Sequence, residues 1–388
     1  MKIFAYTENY ASKTVTFITN ELKHIDEQHE LILCYSNRIN PELYQRKKMK
    51  LIPFRYNKII NKFRWWLEQL QLHFTLKNKS FSIELNNVLS EFKPDLIHCH
   101  FGTDFLKIAS NLKGANKLIP VLVSFYGFDV TEKFMNKAIL KKYRTLLNNQ
   151  KVYSIAVADS LTHKVNSLAF PKNKTITLHS GIDTNFYKRT GDNRSKNDFL
   201  FLQVSSFYPK KGHHLMLEAF KEFLNQDNRY NYKMILAGFG PLEESIALQI
   251  KKLGLEKQVS MQSAVSPSEM IEICCRVNAF VHMSETADNG DQEGLPNVLL
   301  EVMALELPIL STLHAGIPNM IVQGVNGILC EEKNKSEYIK GFKEIVNWPL
   351  CPHNRQRVIE HFSFSTHIQK LENLYQSIIN SRASIINA

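Results

Sequence analysis

The 388-residue sequence predicts an α/β protein built from two doubly wound domains. Short apolar runs alternate with stretches of helical periodicity, which is typical of parallel sheets that carry helices on both faces. The length suits two domains of ordinary size. A polar, charged segment at residues 188–198 is typical of a linker. We therefore expect domains at residues 1–186 and 187–365, followed by a C-terminal helix at residues 366–388.

The strands are predicted from short apolar runs bounded by polar residues. Ligands of such sheets bind beyond the carboxyl ends of the strands, so the loops after these runs are where a site is expected. In the second half, Phe199–Ser205 and Ala279–Ser284 are predicted strands, and Phe364–Ile379 is a predicted amphipathic helix. The predicted strands of the first half are Lys2–Tyr6, Leu31–Tyr35, Leu96–Cys99, Val121–Phe125, Tyr153–Val157 and Thr175–Leu178.

The composition, with 44% apolar and 22% charged residues, is that of a soluble globular protein. No run reaches the ~18 apolar residues of a membrane span. Glu8 and Asn9 interrupt the apolar start that a signal peptide needs, so we expect a cytoplasmic protein. Six cysteines without a Cys-x-x-Cys pair are expected to be buried thiols rather than disulfides.

The net charge of +11 indicates an anionic partner, and a nucleotide diphosphate, an anionic lipid surface and a nucleic acid all fit it. Residues 46–66 are strongly basic with interleaved aromatic residues. Such a segment either lies on an anionic membrane or forms a solvated helix whose aromatic side chains pack on the domain. Peripheral attachment to the inner face of the cell membrane is therefore an open alternative. We find no nucleic-acid recognition motif and expect no nucleic-acid partner.

The most informative stretch is Glu293-Gly-Leu-Pro-Asn-Val-Leu-Leu-Glu301, in which two carboxylates stand eight positions apart. Pro296 suits the first position of a helix, because a first-turn N–H has no intrahelical partner to lose. Pro308 is expected to end this helix. Residues at helical spacing predict its buried face, namely Val298, Leu299, Val302 and Met303.

A helix start of this kind suits an anion. Its unpaired N–H groups and dipole favour phosphate, and Gly294 allows close approach to the backbone. Glu301 lies five residues beyond Pro296, roughly 7.5 Å along the axis at ~1.5 Å per residue. A diphosphate at the helix start would put an attached ribose near Glu301 and a transferred sugar near Glu293. Without further motifs, two glutamates at this spacing would indicate an ordinary amphipathic helix with surface charges.

The motifs His314-Ala-Gly-Ile-Pro and Asn326-Gly-Ile-Leu follow in the same order. With them the sequence resembles the nucleotide-sugar site of glycosyltransferase family 4, which comprises retaining enzymes of the GT-B fold. The resemblance is nearest to the exopolysaccharide subgroup of the colanic-acid and amylovoran type. It implies two Rossmann-like domains facing across a cleft, with the last helix crossing back to the first domain. The first domain would bind the acceptor and the second the nucleotide-sugar.

The resemblance assigns donor-side roles in the second half. Lys211 matches the lysine that neutralises the diphosphate, although a solvated lysine at a helix start is the alternative. The family arginine falls on Ser206, which removes a bidentate phosphate clamp that Lys210 or another residue would have to replace. Glu293 would bind hydroxyls of the donor sugar, and Glu301 would hold the ribose. The other donor-side residues implied are Gly238, Gly240, Gly294, Leu295, Pro296 and Asn297.

The first half departs from the family at Tyr126, where relatives often have a histidine that contacts the donor sugar. Asp129 is retained, and it either orients or deprotonates the acceptor hydroxyl or simply forms a turn. His98 and His100 share one face of a strand. Such a pair can bind metal, but no third ligand is evident nearby in the sequence. We therefore interpret the two histidines as acceptor-side cleft lining or as strand-end residues.

The loop after the first strand, Tyr10–Phe17, lacks the glycine pair that many relatives carry. We assign Thr14 and Thr16 of this loop to the acceptor side. The alternative is a plain helix cap by Ser12 or Thr14.

The resemblance thus implies a retaining, metal-independent hexosyltransferase. It would move a hexose from a nucleotide-diphosphate sugar, with UDP as the expected carrier, to a growing lipid-linked surface polysaccharide such as an exopolysaccharide, capsule or lipopolysaccharide. No cofactor is expected, since the donor is a substrate. Two alternatives stay open: a nucleotide-sugar epimerase or hydrolase of the same fold, and a non-catalytic partner that binds a sugar-nucleotide or a membrane.

Overall fold

A computed structural model describes residues 1–10, 16–38, 50–54, 79–147, 151–168 and 175–386. The chain divides into two compact units, one formed by Met1–Leu178 with Ile368–Ala388 and the other by His179–His367. The sequence places the corresponding boundaries after residues 186 and 365. The assignment of acceptor and donor roles to the two halves stays a prediction.

A seven-stranded parallel sheet forms the centre of the first unit. Its strands are β1 Lys2–Tyr10, β2 Glu30–Arg38, β3 Lys50–Pro53, β4 Leu96–His100, β5 Val121–Phe125, β6 Val152–Ala156 and β7 Thr175–Thr177. They lie in the order β3-β2-β1-β4-β5-β6-β7, and all neighbours pair in parallel. The helices described in this unit are α1 Thr16–Gln28, α2 Lys79–Phe92, α3 Gly102–Ala109, α4 Lys137–Leu147 and α5 Asp159–Leu168.

A six-stranded parallel sheet forms the centre of the second unit. Its strands are β8 Asp198–Val204, β9 Asn231–Ala237, β10 Val259–Gln262, β11 Ala279–His282, β12 Ile309–Thr312 and β13 Ile328–Cys330. Their order is β10-β9-β8-β11-β12-β13. The helices are α6 His213–Gln226, α7 Glu243–Lys252, α8 Pro267–Cys274, α9 Asn297–Ala304, α10 Ile317–Met320, α11 Lys335–Ile345 and α12 Pro352–His361. The last helix, α13 Phe364–Ile386, starts in this unit and continues into the first.

Alternating side chains of the first strand show that both faces of the first sheet are covered. Phe4 and Tyr6 belong to one buried apolar cluster, whereas Ile3 and Ala5 belong to another. Successive side chains of a strand point to opposite faces, so the two clusters lie on opposite sides of the sheet. The predicted α/β class with two doubly wound sheets is therefore confirmed.

The strand order reverses once in each sheet, between β1 and β4 in the first and between β8 and β11 in the second. Ligands of such sheets bind at this switch point, outside the carboxyl ends of the strands. In the second unit the switch point places the loop after β8, which carries Lys211, beside the loop after β11, which carries Glu293. Topology alone thus brings together two residues separated by more than eighty positions.

The basic segment 46–66 lies largely outside the described residues. Its described part is the strand Lys50–Pro53, which pairs with β2 at the edge of the sheet. Phe54 follows with its side chain buried. The alternative that this segment forms a solvated helix is therefore wrong for residues 50–54.

The predicted linker at 188–198 is attached to the second unit over part of its length. The buried guanidinium of Arg189 donates to the carbonyl oxygens of Cys274 and Cys275, at 2.8 and 3.3 Å. The Asn193 N–H also donates to the Cys275 carbonyl at 2.8 Å. Because these bonds cap the end of α8, residues 189–193 form an ordered part of the unit rather than a free tether.

The last helix, α13, starts in the second unit, where the Phe364 N–H donates to the Ile182 carbonyl at 2.8 Å. From Ile368 onward it belongs to the first unit. Tyr375 and Ile378 are buried there in the same cluster as Ile3. Among the helices of the described ranges, none has both the length and the apolar character of a membrane span. All six cysteine side chains are buried and free.

Candidate active site

The helix at the centre of the sequence analysis is α9, Asn297–Ala304. Pro296 is its N-cap residue, with extended backbone angles, so the prediction that it occupies the first helical position is off by one residue. More of this helix is buried than the apolar face that the sequence predicts, because the helix crosses the interior of the unit. Its buried residues are Leu299, Leu300, Val302, Met303 and Ala304, whereas Val298 is only partly buried.

An ion pair stands before this helix. Lys211 Nζ lies 2.7 Å from Glu293 Oε1, and each residue is only 9% exposed. Burial alone would raise the pKa of the Glu293 carboxyl, but the Lys211 cation, with Lys210 and His282, lowers it to about 2. Glu293 is therefore a carboxylate at neutral pH, and its charge is compensated within the protein.

Gly212 explains how the loop after β8 brings Lys211 to Glu293. A 3-10 turn, Pro209–Lys211, ends at Gly212 in the left-handed region with φ 63°. A Cβ at Gly212 would lie 2.0 Å from the carbonyl oxygen of Met283, at the end of β11. Only glycine satisfies both the backbone angle and this close approach. The Lys-Gly pair noted in the sequence thus packs one loop directly against the other.

Ser206 and Lys210 occupy the same loop. Ser206 is partly buried and stands where the family arginine is expected. Lys210 Nζ is paired with the Asp291 carboxylate at 3.0 Å, in the acidic insert that precedes Glu293. Lys210 contributes positive charge near Glu293, but its ammonium group is already engaged by the insert. Lys211 therefore remains the lysine in direct contact with the predicted sugar-binding carboxylate.

Gly238 and Gly240 form the turn after β9, and they lie against the same loop. A Cβ on Gly238 would be 1.9 Å from the Ser205 carbonyl oxygen. A Cβ on Gly240 would be 2.6 Å from the Phe207 carbonyl oxygen. Both glycines are therefore required by backbone packing on either side of Ser206. Whether they also contact a nucleotide stays a prediction.

A histidine that the sequence analysis quoted only as part of a motif holds the backbone of Glu293. The Glu293 N–H donates to His314 Nε2 at 3.0 Å, so this nitrogen carries no proton. The other nitrogen, Nδ1, lies 2.6 Å from Glu332 Oε1 and donates to it. The second oxygen of Glu332 accepts the Thr286 N–H at 2.7 Å. Glu332 thus fixes the tautomer of His314 and ties the acidic insert to Glu293.

Glu301 has the opposite electrostatic environment. Burial raises the pKa of its carboxyl to about 7, while a hydrogen bond from the Tyr187 hydroxyl opposes this increase. The residue keeps partial solvent access. On the first turn of the same helix, the buried Asn297 Oδ1 has no hydrogen-bond partner among the described residues. The predicted donor-binding residues Gly294 and Leu295 are buried beside this helix start.

In the first unit, Asp129 forms a turn. Its buried carboxylate accepts the N–H groups of Gly102, Tyr126 and Gly127 at 2.9, 3.1 and 3.0 Å. Burial raises its pKa to about 6, although these bonds lower it. Because both oxygens already accept backbone N–H groups, the contacts favour the turn-forming alternative over a base acting on an acceptor.

Tyr126 points towards the strand histidines. Its hydroxyl lies 3.2 Å from His100 Nδ1, and its ring packs against Phe17 and Phe101 with centroids 5.0 and 4.9 Å apart. Thr16 is the exposed first residue of α1. Thr14 lies outside the described residues.

His98 and His100 are completely buried at the end of β4, and their assignment to the acceptor side stays a prediction. The structure also brings a carboxylate, which the sequence did not reveal, close to both histidines. Glu21, on α1, places a carboxylate oxygen 3.8 Å from His98 Nδ1 and 3.9 Å from His100 Nδ1. Sequence spacing could not show this, because Glu21 is on a different element far along the chain.

Comparisons with known protein families agree with this architecture. A model described as "Glycosyl transferases group 1" matches residues 187–361, the half that carries α9 and Lys211. A model described as "Glycosyl transferase 4-like" matches residues 26–159. The two matches do not overlap, and together they cover most of the chain.

The sequence identity between this chain and individual relatives is low. WcaL of Escherichia coli K12, named as a colanic acid biosynthesis glycosyltransferase, is 23% identical over 308 residues, which are 78% of this chain and 75% of WcaL. The amylovoran biosynthesis glycosyltransferase AmsK of Erwinia amylovora is 27% identical over 242 residues, 62% of this chain and 58% of AmsK. The crystal structure of Anabaena HepE with UDP and glucose matches with a TM-score of 0.74 and 16% identity, covering 97% of this chain and 100% of that one.

Proposed function

The chain belongs to the family 4 glycosyltransferases of the GT-B fold, and from this premise we propose that it transfers a hexose from a nucleotide-diphosphate sugar, with UDP as the carrier, to a growing surface polysaccharide. The observation that carries this proposal is the buried Lys211–Glu293 pair at the start of α9. A cation and a carboxylate held at a helix N-terminus form a site with separate positions for a diphosphate and for sugar hydroxyls.

The diphosphate would lie at the start of α9. The first N–H groups of a helix lack intrahelical partners and favour an anion. Lys211 Nζ has three N–H donors, of which the contact with Glu293 uses one, so it can also donate to a phosphate oxygen. As the bond between sugar and phosphate breaks, negative charge grows on the diphosphate. Donors already aimed at that position stabilise the transition state without reorganising.

The ribose would lie near Glu301, further along the same helix. Ionisation of this carboxyl is disfavoured by burial, as its pKa of about 7 shows. Two ribose hydroxyls donating to it would favour the ionised form and compensate for the lost water. The solved relative HepE binds UDP and glucose, which supports UDP as the carrier for this chain.

The hexose would be held by Glu293. Its pKa of about 2 makes it a constant acceptor for sugar hydroxyls. Because Lys211 neutralises it, we assign it to binding and positioning rather than to nucleophilic attack. Retention of configuration and independence from metal in the transfer step are proposed from the family to which the chain belongs.

The acceptor would be a lipid-linked oligosaccharide. The named roles of WcaL and AmsK in colanic acid and amylovoran biosynthesis support a polysaccharide product. The net charge of +11 and the basic segment 46–66 support contact with an anionic membrane surface, where such an acceptor is found.

The test is a panel of UDP- and GDP-sugars, with thermal unfolding as the binding assay and product analysis as the activity assay. We expect one donor to raise the unfolding temperature and, with acceptor glycolipid, to give a product with retained anomeric configuration. Glu293→Gln and Lys211→Ala should each lower transfer by orders of magnitude. Lys251→Ala, at an exposed lysine on α7, is the matched control and should behave like the wild type.

Three outcomes would contradict the proposal. Free sugar or an epimer formed at the full rate without acceptor would identify a hydrolase or epimerase. Tight donor binding without turnover over a broad range of acceptors would identify a binding protein. Near-normal transfer by a folded Lys211→Ala variant would refute the role of the lysine at the diphosphate.

A further inference from the structure

A second cluster of chemistry-bearing side chains lies in the first unit, away from the residues assigned to the donor. It consists of Glu21 on α1 and of His98 and His100 on β4. All three are buried, with exposures of 4%, 0% and 0%. One ligand atom from each residue, a carboxylate oxygen or an imidazole nitrogen, lies within 4.8 Å of the others. We propose that this cluster binds a divalent transition-metal ion of the zinc class.

The distances suit a shared ion. Glu21 Oε1 lies 3.8 Å from His98 Nδ1 and 3.9 Å from His100 Nδ1. Two ligands at ~2.0–2.1 Å from a tetrahedral zinc ion are separated by roughly 3.3–3.4 Å. The two glutamate–histidine separations would therefore need to shorten by about half an ångström, a shift that small rotations about the side-chain bonds provide. Two imidazoles and one carboxylate favour zinc and its neighbours over magnesium or calcium.

Charge also favours a cation here. A buried carboxylate is costly unless a positive charge accompanies it. A divalent ion would compensate the carboxylate while leaving both histidines neutral, which is the form that binds metal.

The surrounding groups resemble the outer shell of a metal site. His98 Nε2 lies 2.8 Å from Ser124 Oγ, so this hydroxyl can accept a hydrogen bond from Nε2, and Nδ1 is the ring nitrogen on the side of Glu21. His100 Nε2 is buried without a hydrogen-bond partner among the described residues. The Tyr375 hydroxyl lies 2.7 Å from His98 Nδ1, and the Tyr126 hydroxyl lies 3.2 Å from His100 Nδ1. A hydroxyl at this position can serve as a fourth ligand or donate a hydrogen bond to the carboxylate.

The elements that meet at the cluster indicate its role. Glu21 is on α1, the histidines are on the central strand β4, and Tyr375 is on the part of α13 that belongs to the first unit. An ion at this point would hold the three elements together inside the unit. The inference does not rest on the proposed transfer reaction, because no residue of the cluster has a role in donor binding.

The first test is the metal content of the full-length protein after incubation with zinc chloride and exhaustive dialysis. We expect one zinc ion per chain in the wild type and none in Glu21→Gln or His100→Gln. Replacement by cobalt should give the visible absorption of a site with nitrogen and oxygen ligands. His163→Gln, at an exposed histidine on α5 of the same unit, is the matched control and should keep the ion.

Ser124→Ala keeps all three ligands and removes the hydroxyl that orients His98. It should weaken zinc binding about 10–100-fold, the usual effect of losing an outer-shell partner. This variant and the cobalt spectrum of the wild type decide the matter even if a ligand variant fails to fold. Absence of a stoichiometric ion and of a cobalt band in the wild type would overturn the proposal. So would unchanged binding in the ligand variants, because the ion would then lie elsewhere.

Discussion

The Lys211–Glu293 pair makes a prediction about stability that needs no substrate. In Lys211→Met the Glu293 carboxylate would stay in its buried position without its cation. The pKa of this carboxyl falls from 4.5 to about 2 in the folded protein, which corresponds to about 3 kcal/mol at ~1.36 kcal/mol per pH unit. Removal of one partner of a buried pair typically costs ~3–5 kcal/mol. We therefore expect Lys211→Met to lose about 3 kcal/mol of unfolding free energy at pH 7.

The double variant Lys211→Met/Glu293→Gln separates this effect from lost packing. It leaves no charge in the buried position, so it should recover most of the lost stability while remaining inactive. Urea unfolding followed by circular dichroism gives all the values of the double-mutant cycle. A coupling energy below about 1 kcal/mol, or a double variant as unstable as Lys211→Met, would refute the electrostatic account.

The same pair makes a signed pH prediction. Because the pKa of Glu293 is lowered on folding, its contribution to stability is complete above about pH 4.5 and disappears as the pH falls towards 2. The stability difference between the wild type and Lys211→Met should therefore shrink over this acid range. A difference that stays constant from pH 7 to pH 3 would show that the pair does not supply it.

Three further predictions concern the residues around the pair. Glu301→Gln should be more stable than the wild type at pH 8 but not at pH 4, because ionisation of a carboxyl whose pKa is raised from 4.5 to about 7 opposes folding. Thermal unfolding at both pH values should show a stability gain of about 2 kcal/mol at pH 8, a figure discounted for the partial exposure of the carboxyl. Calorimetry should show that the variant binds UDP more weakly. His314→Phe should lower kcat for transfer about 10–100-fold, with less effect on KM for the donor. His314→Gln should recover part of the lost kcat, because its amide oxygen can accept the Glu293 N–H. An equal loss of kcat in both variants would contradict the positioning role of His314. Gly212→Ala should destabilise the protein by more than about 2 kcal/mol and lower transfer, whereas Gly191→Ala, where a Cβ meets no atom within 4 Å, should be neutral in the same unfolding assay.

The parts of this molecule that the sequence predicts are those encoded by local pattern. Apolar runs with the right spacing identify the strands, and the switch-point rule then identifies the loops that meet beside them. Lys211 and Glu293 could be named in advance because each lies in a short motif on such a loop. The capping box at Ser266 and Glu269 is encoded in the same local way, since all its contacts lie within one turn.

The parts that the sequence did not predict depend on contacts between distant elements. His314 was visible in its motif, but its bond to Glu293 and its partner Glu332 join three separate loops. Glu21 looks like an ordinary helix residue until α1 packs on β4. In both cases a buried polar side chain near an apolar stretch was the available signal, and only the fold supplies the partner that makes it informative.

The carboxylates of Glu293, before α9, and of Glu301, on α9, lie in different environments, and the difference separates ligand binding from stability. Glu293 has its cation 2.7 Å away, so its charge is compensated before any ligand arrives. Glu301 receives a hydrogen bond from the neutral Tyr187 hydroxyl, and burial still raises its pKa to about 7. A glutamine at 301 would fold at least as well at neutral pH, since it avoids the cost of ionisation. Hydroxyl donors of a bound ribose would instead favour the carboxylate, so under the proposed function its presence is explained by the ligand rather than by the fold.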